Sequence, residues 1–366
     1  MGYEIDFIGV SEEKSKQDAD AIVFRWLENE KYKVVVYDGG LQAHGEEMDS
    51  HLQNYYFSDG SNTIDAVIVS HSDQDHTSGL INILENYDVK ALYMNRPWIY
   101  VDELFDKVND RRKTKNSLAE ELKSKYAFVA RLEEVANNQG IPIYEVFQGE
   151  IIEGRLTVLS PSRELYLDLL VESEKTPFTE NNVSGYVESF AQKVSDYIKS
   201  KLEKWNIETL REDVVTSPEN EMSAVIFGEM DKEGFLLVGD AGIRGLNAAM
   251  DYADSIGKHL IEKVSILQIP HHGGRHNVSP SVLNRLLGNI IPENDTESEN
   301  KTAFVSAAEN SDHPLQMVVN AYIRRGVKVY KTNGKTICHH NGNMPTRKGW
   351  GTCVKEKFDS IVEEWD

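Results

Sequence analysis

Cysteine is nearly absent: Cys338 and Cys353 are the only two in 366 residues, and neither has a CxxC partner. A disulfide scaffold is excluded, and both thiols read as reduced, the pattern of a cytoplasmic protein. Long apolar runs are missing too. No stretch approaches the ~18 residues that a membrane span needs. The opening MGYEIDFIG has neither the basic nor the apolar region of a signal peptide, and Asp6 stands where a myristoylation pattern wants Ser or Thr. Neither export, nor a lipid anchor, nor a membrane partner is expected. Positive charge is scarce, with 39 Lys and Arg against 60 Asp and Glu, a net charge of −21. Such a surface repels polyphosphate unless basic residues or metal ions concentrate locally, which argues against a broad grip on duplex DNA.

What is present suits one elaborated α/β domain over residues 1–366: 40% hydrophobic and 27% charged residues can bury a sizeable core. Short runs rich in Val, Ile and aromatics predict strands at YEIDFIG, AIVFRWL, KVVVYDGG and DAVIVSHS. A short helix after His76 and a strand at ALYMN follow. From Ser117, paired with Glu120 as a capping box, Leu118, Leu122, Tyr126, Val129 and Leu132 recur at helical spacing until Gly140. Strand patterns return at IPIYEVF and RLTVLSP. Residues 163–215 then turn helical, with Val187, Phe190, Val194, Tyr197, Leu202 and Trp205 on one face, and are expected to form a helical insertion. SAVIFGE, GFLLVGD, VSILQIP, TAFVSA and GVKVYKT resume the sheet pattern, so two β-rich halves enclose one core.

Chemistry concentrates in His71-Ser72-Asp73-Gln74-Asp75-His76, four potential metal ligands at a strand-to-helix junction. Alternate residues of an extended segment point the same way, so His71 and Asp73 can grip one cation while Asp75 and His76 face a second. The plainer reading is a solvated turn whose Asp residues cap the next helix. FLLVGD ends in Asp240, and LQIP leads into His271-His272-Gly273-Gly274. Strand ends place such groups at one rim of a sheet, although each taken alone reads as a turn former rather than a ligand. Asp38, closing KVVVYDGG, reads equally as a turn residue or as a carboxylate orienting a ligand histidine.

Taken in order, the D-G-G strand end, the HxDxDH motif, the strand-terminal G-D and the H-H-G-G turn resemble the metal-dependent hydrolases of the metallo-β-lactamase superfamily. The likeness is strongest to the hydrolase domain of the ComEC competence proteins, through Asp20-Ala21-Ile22, VVVYDGG, IDAVIVSHSDQDHTSGL, LTVLSP, SAVIFGE, LLVGDAG, IPHHGG and His313-Pro314. Phosphorylcholine esterases of the superfamily are similar as well. The resemblance implies a four-layer αββα sandwich and two divalent metal ions, Zn²⁺ or Mn²⁺. It places His71 and Asp73 on one metal, Asp75 and His76 on the other, Asp240 bridging both and His272 completing the second. Many relatives supply a further histidine to the first metal, whereas this chain has none from 77 to 258; Asn95 or water is the expected substitute.

The implied chemistry is hydrolysis, in which a water shared by two divalent cations loses its proton near neutral pH and attacks phosphorus or carbonyl carbon. Asp75 counts among the catalytic groups, and His271 and His313 are the candidates to protonate the leaving oxygen. His313 reads equally as a surface histidine of a Ser-Asp-His-Pro turn. Arg275, His276 and Ser279 could hold phosphate oxygens. The expected activity is that of a phosphodiesterase or nuclease acting on single-stranded nucleic acid or ends. The alternatives are an esterase for a small phosphodiester or cyclic nucleotide, and a catalytically silent metal-binding scaffold whose insertion recruits a protein partner.

Overall fold

A computed structural model describes residues 2–105, 114–176, 200–230, 233–293 and 295–365. Two seven-stranded mixed sheets stack face to face. The first runs in the order Ile337–Asn341, Tyr3–Phe7, Ala21–Glu28, Lys31–Gly39, Ala66–Ile68, Leu92–Tyr93, Ile143–Tyr144. It is antiparallel as far as Lys31–Gly39 and parallel beyond it. The second runs Val327–Lys331, Lys301–Val305, Val264–Gln268, Glu233–Leu237, Val225–Met230, Leu156–Ser160, Ile151–Ile152. Here the first four strands are parallel and the rest antiparallel.

Period-two alternation decides what each strand face covers. Val35 and Tyr37 point between the sheets with Ile5, Phe7, Phe24 and Trp26, and meet Val158, Ile226, Phe235, Ile266 and Phe304 from the other half. Phe24 packs edge-on against Phe235 at 5.2 Å, and Phe7 stacks on Phe304 at 5.1 Å. The opposite faces, with Val23, Val34 and Val36 in one half and Leu236, Leu267 and Ala303 in the other, lie under outer helices. The four layers expected from the resemblance are therefore present, and each strand predicted from an apolar run is found.

Three expectations need correction. The helix from Ser117 is two helices, Lys115–Lys125 and Ala127–Gln139, joined at Tyr126, because the apolar stripe continues through a residue whose backbone does not (φ −104°, ψ 48°). Its N-cap is Thr114, with Ser117 as the third helical residue of the capping box, while Gly140 does close the second helix in the left-handed region. The proposed insertion is helical at Arg163–Glu172 but not at its far end. Ser200–Leu202 is a strand paired with Ile361–Glu363, Leu202 is 76% exposed, and Trp205 lies in a turn. Val187, Phe190, Val194 and Tyr197 fall outside the described residues. The segment after Leu202 is pinned by buried Arg324, which pairs with Glu203 at 3.0 Å and donates to the carbonyls of Lys204, Trp205 and Ile207. Helical periodicity alone cannot register that long-range tether.

Candidate metal centre

The carboxyl ends of the parallel strands meet at one rim, where open α/β sheets usually place their ligands. Asp38 closes Lys31–Gly39, His71 lies just past Ala66–Ile68, Asp240 just past Glu233–Leu237, and His271 and His272 just past Val264–Gln268. Hydrogen bonds join the halves beside them: Tyr37 Oη donates to the Ala224 carbonyl at 2.8 Å and the Ala224 amide to the Ser70 carbonyl at 2.8 Å. Backbone conformation is unusual at this rim. Asp38, His271 and His272 are three of the eight described non-glycine residues with positive φ, at 57°, 48° and 54°. Such geometry costs of order 1–3 kcal/mol per residue and persists only where the surroundings impose it. One reason for the tight His-His-Gly-Gly turn is its packing on Pro314: a Cβ on Gly273 (φ 86°) would lie 2.4 Å from Pro314 Cβ. That close approach brings His313 alongside the two histidines, with ring centroids 6.3 Å from His271 and 6.5 Å from His272.

Asp240 stands between two groups of donors. Its Oδ1 lies 3.2 Å from His76 Nε2, and its Oδ2 lies 3.7 Å from both His71 Nε2 and His271 Nε2. Asp73 Oδ2 is 3.8 Å from His71 Nε2, while Asp75 Oδ2 is 3.4 Å from His272 Nε2 and 3.9 Å from His76 Nε2. The fold thus brings the six expected ligands together, His71 beside Asp73, Asp75 beside His76 and His272, and Asp240 between them. A further donor carries no signal in the spacing of the chain: buried Asp20, which with His76, Asp240 and His272 brings four donor atoms within 4.8 Å of one another.

The outer nitrogens fix how the rings are turned. His76 Nδ1 faces Asp38 Oδ2 at 2.8 Å, His272 Nδ1 donates to the Ser306 carbonyl at 3.0 Å, and His71 Nδ1 meets Ser70 Oγ at 3.0 Å. Each Nε2 is left directed at the centre, as metal-binding imidazoles require. His271 follows the same logic. Asn277 Nδ2 donates to the Asp240 carbonyl, so its Oδ1 accepts from His271 Nδ1 at 3.0 Å, and His271 Nε2 lies 3.7 Å from Asp240 Oδ2. His313 Nδ1 is held by Asp18 Oδ2 at 2.9 Å. Spacing in the chain does not reveal Asp18, Asn277 or Ser306, because they meet their histidines only through the fold.

Charge balance is internal. Burial works against the charged forms, yet Asp240, Asp38 and Asp75 outweigh it and raise the His76 pKa well above its ordinary value. Burial likewise opposes His272, but Asp75, Asp20 and Asp240 push it up to about 10. Asp240 and Asp75 are held low against their own desolvation, principally by His76. Asp20 has no such rescue: burial raises its pKa despite His272 and His76 nearby.

Whether this donor set fits divalent cations is answered by its loose ends. Both oxygens of Asp20, His71 Nε2, His76 Nε2 and Asp240 Oδ1 are buried without a hydrogen-bond partner. Unpaired buried polar atoms are costly, and cations at this rim would give them partners, with Asp20, His76 and Asp240 in one cluster of close donors. Asn95 does not fit the role suggested for it, since its amide is clamped to Val146 at both ends, Nδ2 to the carbonyl at 3.1 Å and Oδ1 from the amide at 3.0 Å. Three further candidates are structural. Arg275 donates to the Glu364 carbonyl and lies over Trp365, His276 packs edge-on against Trp365, and Ser279 caps the helix Pro280–Leu287. Outside the predicted set, Lys175 Nζ pairs with Asp73 Oδ1 at 2.5 Å.

The stacked sheets and the donor-rich rim define a protein of the metallo-β-lactamase fold and support a metal-dependent hydrolase. The family model described as the Metallo-beta-lactamase superfamily matches residues 22–131. ComE operon protein 3 of Bacillus subtilis (strain 168) is 22% identical over 276 residues, which cover 75% of this chain and 24% of that protein; the chain thus spans about a quarter of its relative. Among solved structures, a diphosphatase from the PhnP family is similar at 10% identity and a TM-score of 0.42, over 93% of this chain and 98% of that one. The metallo-beta-lactamase fold protein YhfI from Bacillus subtilis (10% identity, TM-score 0.43) covers 93% of this chain and all of its own. Unliganded yeast PDE1 (10% identity, TM-score 0.43) covers 91% of this chain and 98% of its own. No helix among the described residues is long and apolar enough to cross a membrane.

Proposed function

We propose that this chain is a metal-dependent phosphodiesterase that cleaves nucleic acid at single-stranded regions or ends. The observation that carries the reading is the set of buried, unpartnered donors around Asp240, a donor set suited to divalent cations. Divalent cations held by His71, Asp73, Asp75, His76, Asp240 and His272 would supply Lewis acidity and lower the pKa of water. The chain's own groups do the rest. Asp38, Ser70 and Ser306 fix the imidazoles, the inter-sheet core keeps the rim rigid, and His313, oriented by Asp18 and 32% exposed, stands where it can pass a proton to a leaving oxygen. Burial, outweighing the pull of Asp240, lowers the His271 pKa below the usual histidine value, which favours the neutral ring and leaves His313 as the acid of this reading.

The net charge of −21 supports a second reading, a small phosphodiester or cyclic nucleotide, because such a substrate needs no extended basic track. One comparison separates the two: rates on single-stranded DNA, RNA, cyclic nucleotides and bis-p-nitrophenyl phosphate under Mn²⁺ and under Zn²⁺. Hydrolysis abolished by Asp240→Ala and by Asp75→Ala supports the enzyme. A well-folded, metal-loaded protein that leaves all four substrates intact would favour the scaffold reading.

A further inference from the structure

The two halves of the centre are not equally equipped. Around His76 the donors are dense: Asp75, Asp240 and His272 surround it, and Asp20 joins the cluster from below. His71 has fewer. No histidine lies between 77 and 258, Asn95 is committed to Val146, and among the described residues the carboxylates facing His71 Nε2 are Asp73 and Asp240, whose oxygen also faces His271. Asp73 is itself contested. One of its oxygens lies 3.8 Å from His71 Nε2 and the other accepts from Lys175 Nζ at 2.5 Å.

Lys175 is not a chance visitor. Its amide donates to Ser173 Oγ at 3.1 Å, which ties it to the end of the helix Arg163–Glu172, and its ammonium lies 5.9 Å from the Tyr126 ring centroid. Ser173 is in turn bonded to Tyr126 and Glu219, so elements from two parts of the chain set the lysine's position. An ammonium on Asp73 does two things to a cation beside His71. It neutralises the carboxylate that would bind that cation, and it adds a like charge close by.

We propose that Lys175 sets the cation occupancy of the centre: its ammonium competes for Asp73 and makes the His71 position the weaker of two unequal sites. The inference rests on the metal reading given above and is independent of the substrate. One divalent ion occupies the His76 side tightly, and the second enters only by displacing Lys175 from Asp73.

Calorimetric titration of the metal-free full chain with Mn²⁺, followed in parallel by electron paramagnetic resonance, tests this without any activity assay. The wild type is expected to show two classes of site with dissociation constants at least about 100-fold apart, and a mononuclear hyperfine pattern at one equivalent. Lys175→Met should tighten the weak class by about tenfold or more and leave the tight class in place, whereas Lys175→Arg should keep the original separation. In an Asp73→Asn background, Lys175→Met should change nothing. Two indistinguishable classes in the wild type, or a weak class that Lys175→Met does not move, would overturn the inference while leaving the metal centre standing. Failure to bind Mn²⁺ or Zn²⁺ at all would remove the centre itself. If Lys175→Met does not fold, Lys175→Gln carries the same comparison.

Discussion

Asp38 holds Nδ1 of His76 at 2.8 Å, and both side chains are fully buried. The pair joins the end of a strand in the first sheet to the turn that bears the HxDxDH motif, so the carboxylate orients the ring from behind while Nε2 faces Asp240. Asp38→Ala should therefore weaken binding of the tightly held cation by about 10–100-fold with the fold intact. Calorimetry alongside circular dichroism would read this, and an unchanged affinity would mean that the ring is fixed by packing alone.

Asp18 and His313 form a second such pair, at the open side of the centre. Loss of a general acid typically costs 10²–10⁴-fold in rate, so His313→Ala should fall by about that much in kcat while metal content stays constant. Asp18→Asn should give a smaller loss of the same kind, because the ring remains but is less firmly turned. Equal metal content with undiminished turnover in both variants would exclude His313 from the chemistry.

His44 is buried on the helix Gln42–His51, and burial lowers its pKa from 6.5 to about 4, with the nearby His272 charge adding to the effect. Its depressed value means that the neutral ring is what the fold tolerates. The stabilisation is complete above the unfolded value of about 6.5 and is lost as pH falls toward 4, because the unfolded chain takes up a proton that the folded chain resists. The shift corresponds to about 3 kcal/mol at most. Urea midpoints at pH 7.5 and 4.5 should fall less in His44→Leu than in the wild type; parallel falls in both would refute the assignment.

Arg324 and Glu203 pair in full burial, so the loss of either strands the charge of the other. Arg324→Met should cost about 3–5 kcal/mol, and adding Glu203→Leu should recover only part of it, because the carbonyls of Lys204, Trp205 and Ile207 stay without their donor. Denaturant midpoints of the three variants suffice, and additive losses would show that the pair is not coupled.

Much of this architecture is legible in the chain because buried strands announce themselves. VVVYDGG and FLLVGD are apolar, β-branched or aromatic runs cut off by a residue that cannot stay inside, so one pattern marks both the strand and the place where its chemistry emerges. The HxDxDH motif is dense enough to be seen without any neighbour. Asp20 is different: it sits in an unremarkable Asp-Ala-Ile and becomes a candidate donor only when His272 and Asp240 arrive from more than two hundred residues away. Lys175 escaped for the same reason, being one of many lysines until the fold sets it on Asp73. The strand Ile337–Asn341 went unread because ICHHN, half exposed at a sheet edge, has almost no hydrophobic signature.

That same strand has a consequence for how the molecule is made. Tyr3–Phe7 is flanked on one side by Ala21–Glu28, available within moments of synthesis, and on the other by a segment more than three hundred residues downstream. While the chain emerges from the ribosome, the amino-terminal sheet must wait with one border open, and bare strand borders invite pairing with other molecules. The yield of native protein then depends on how well that border is shielded until its last partner arrives.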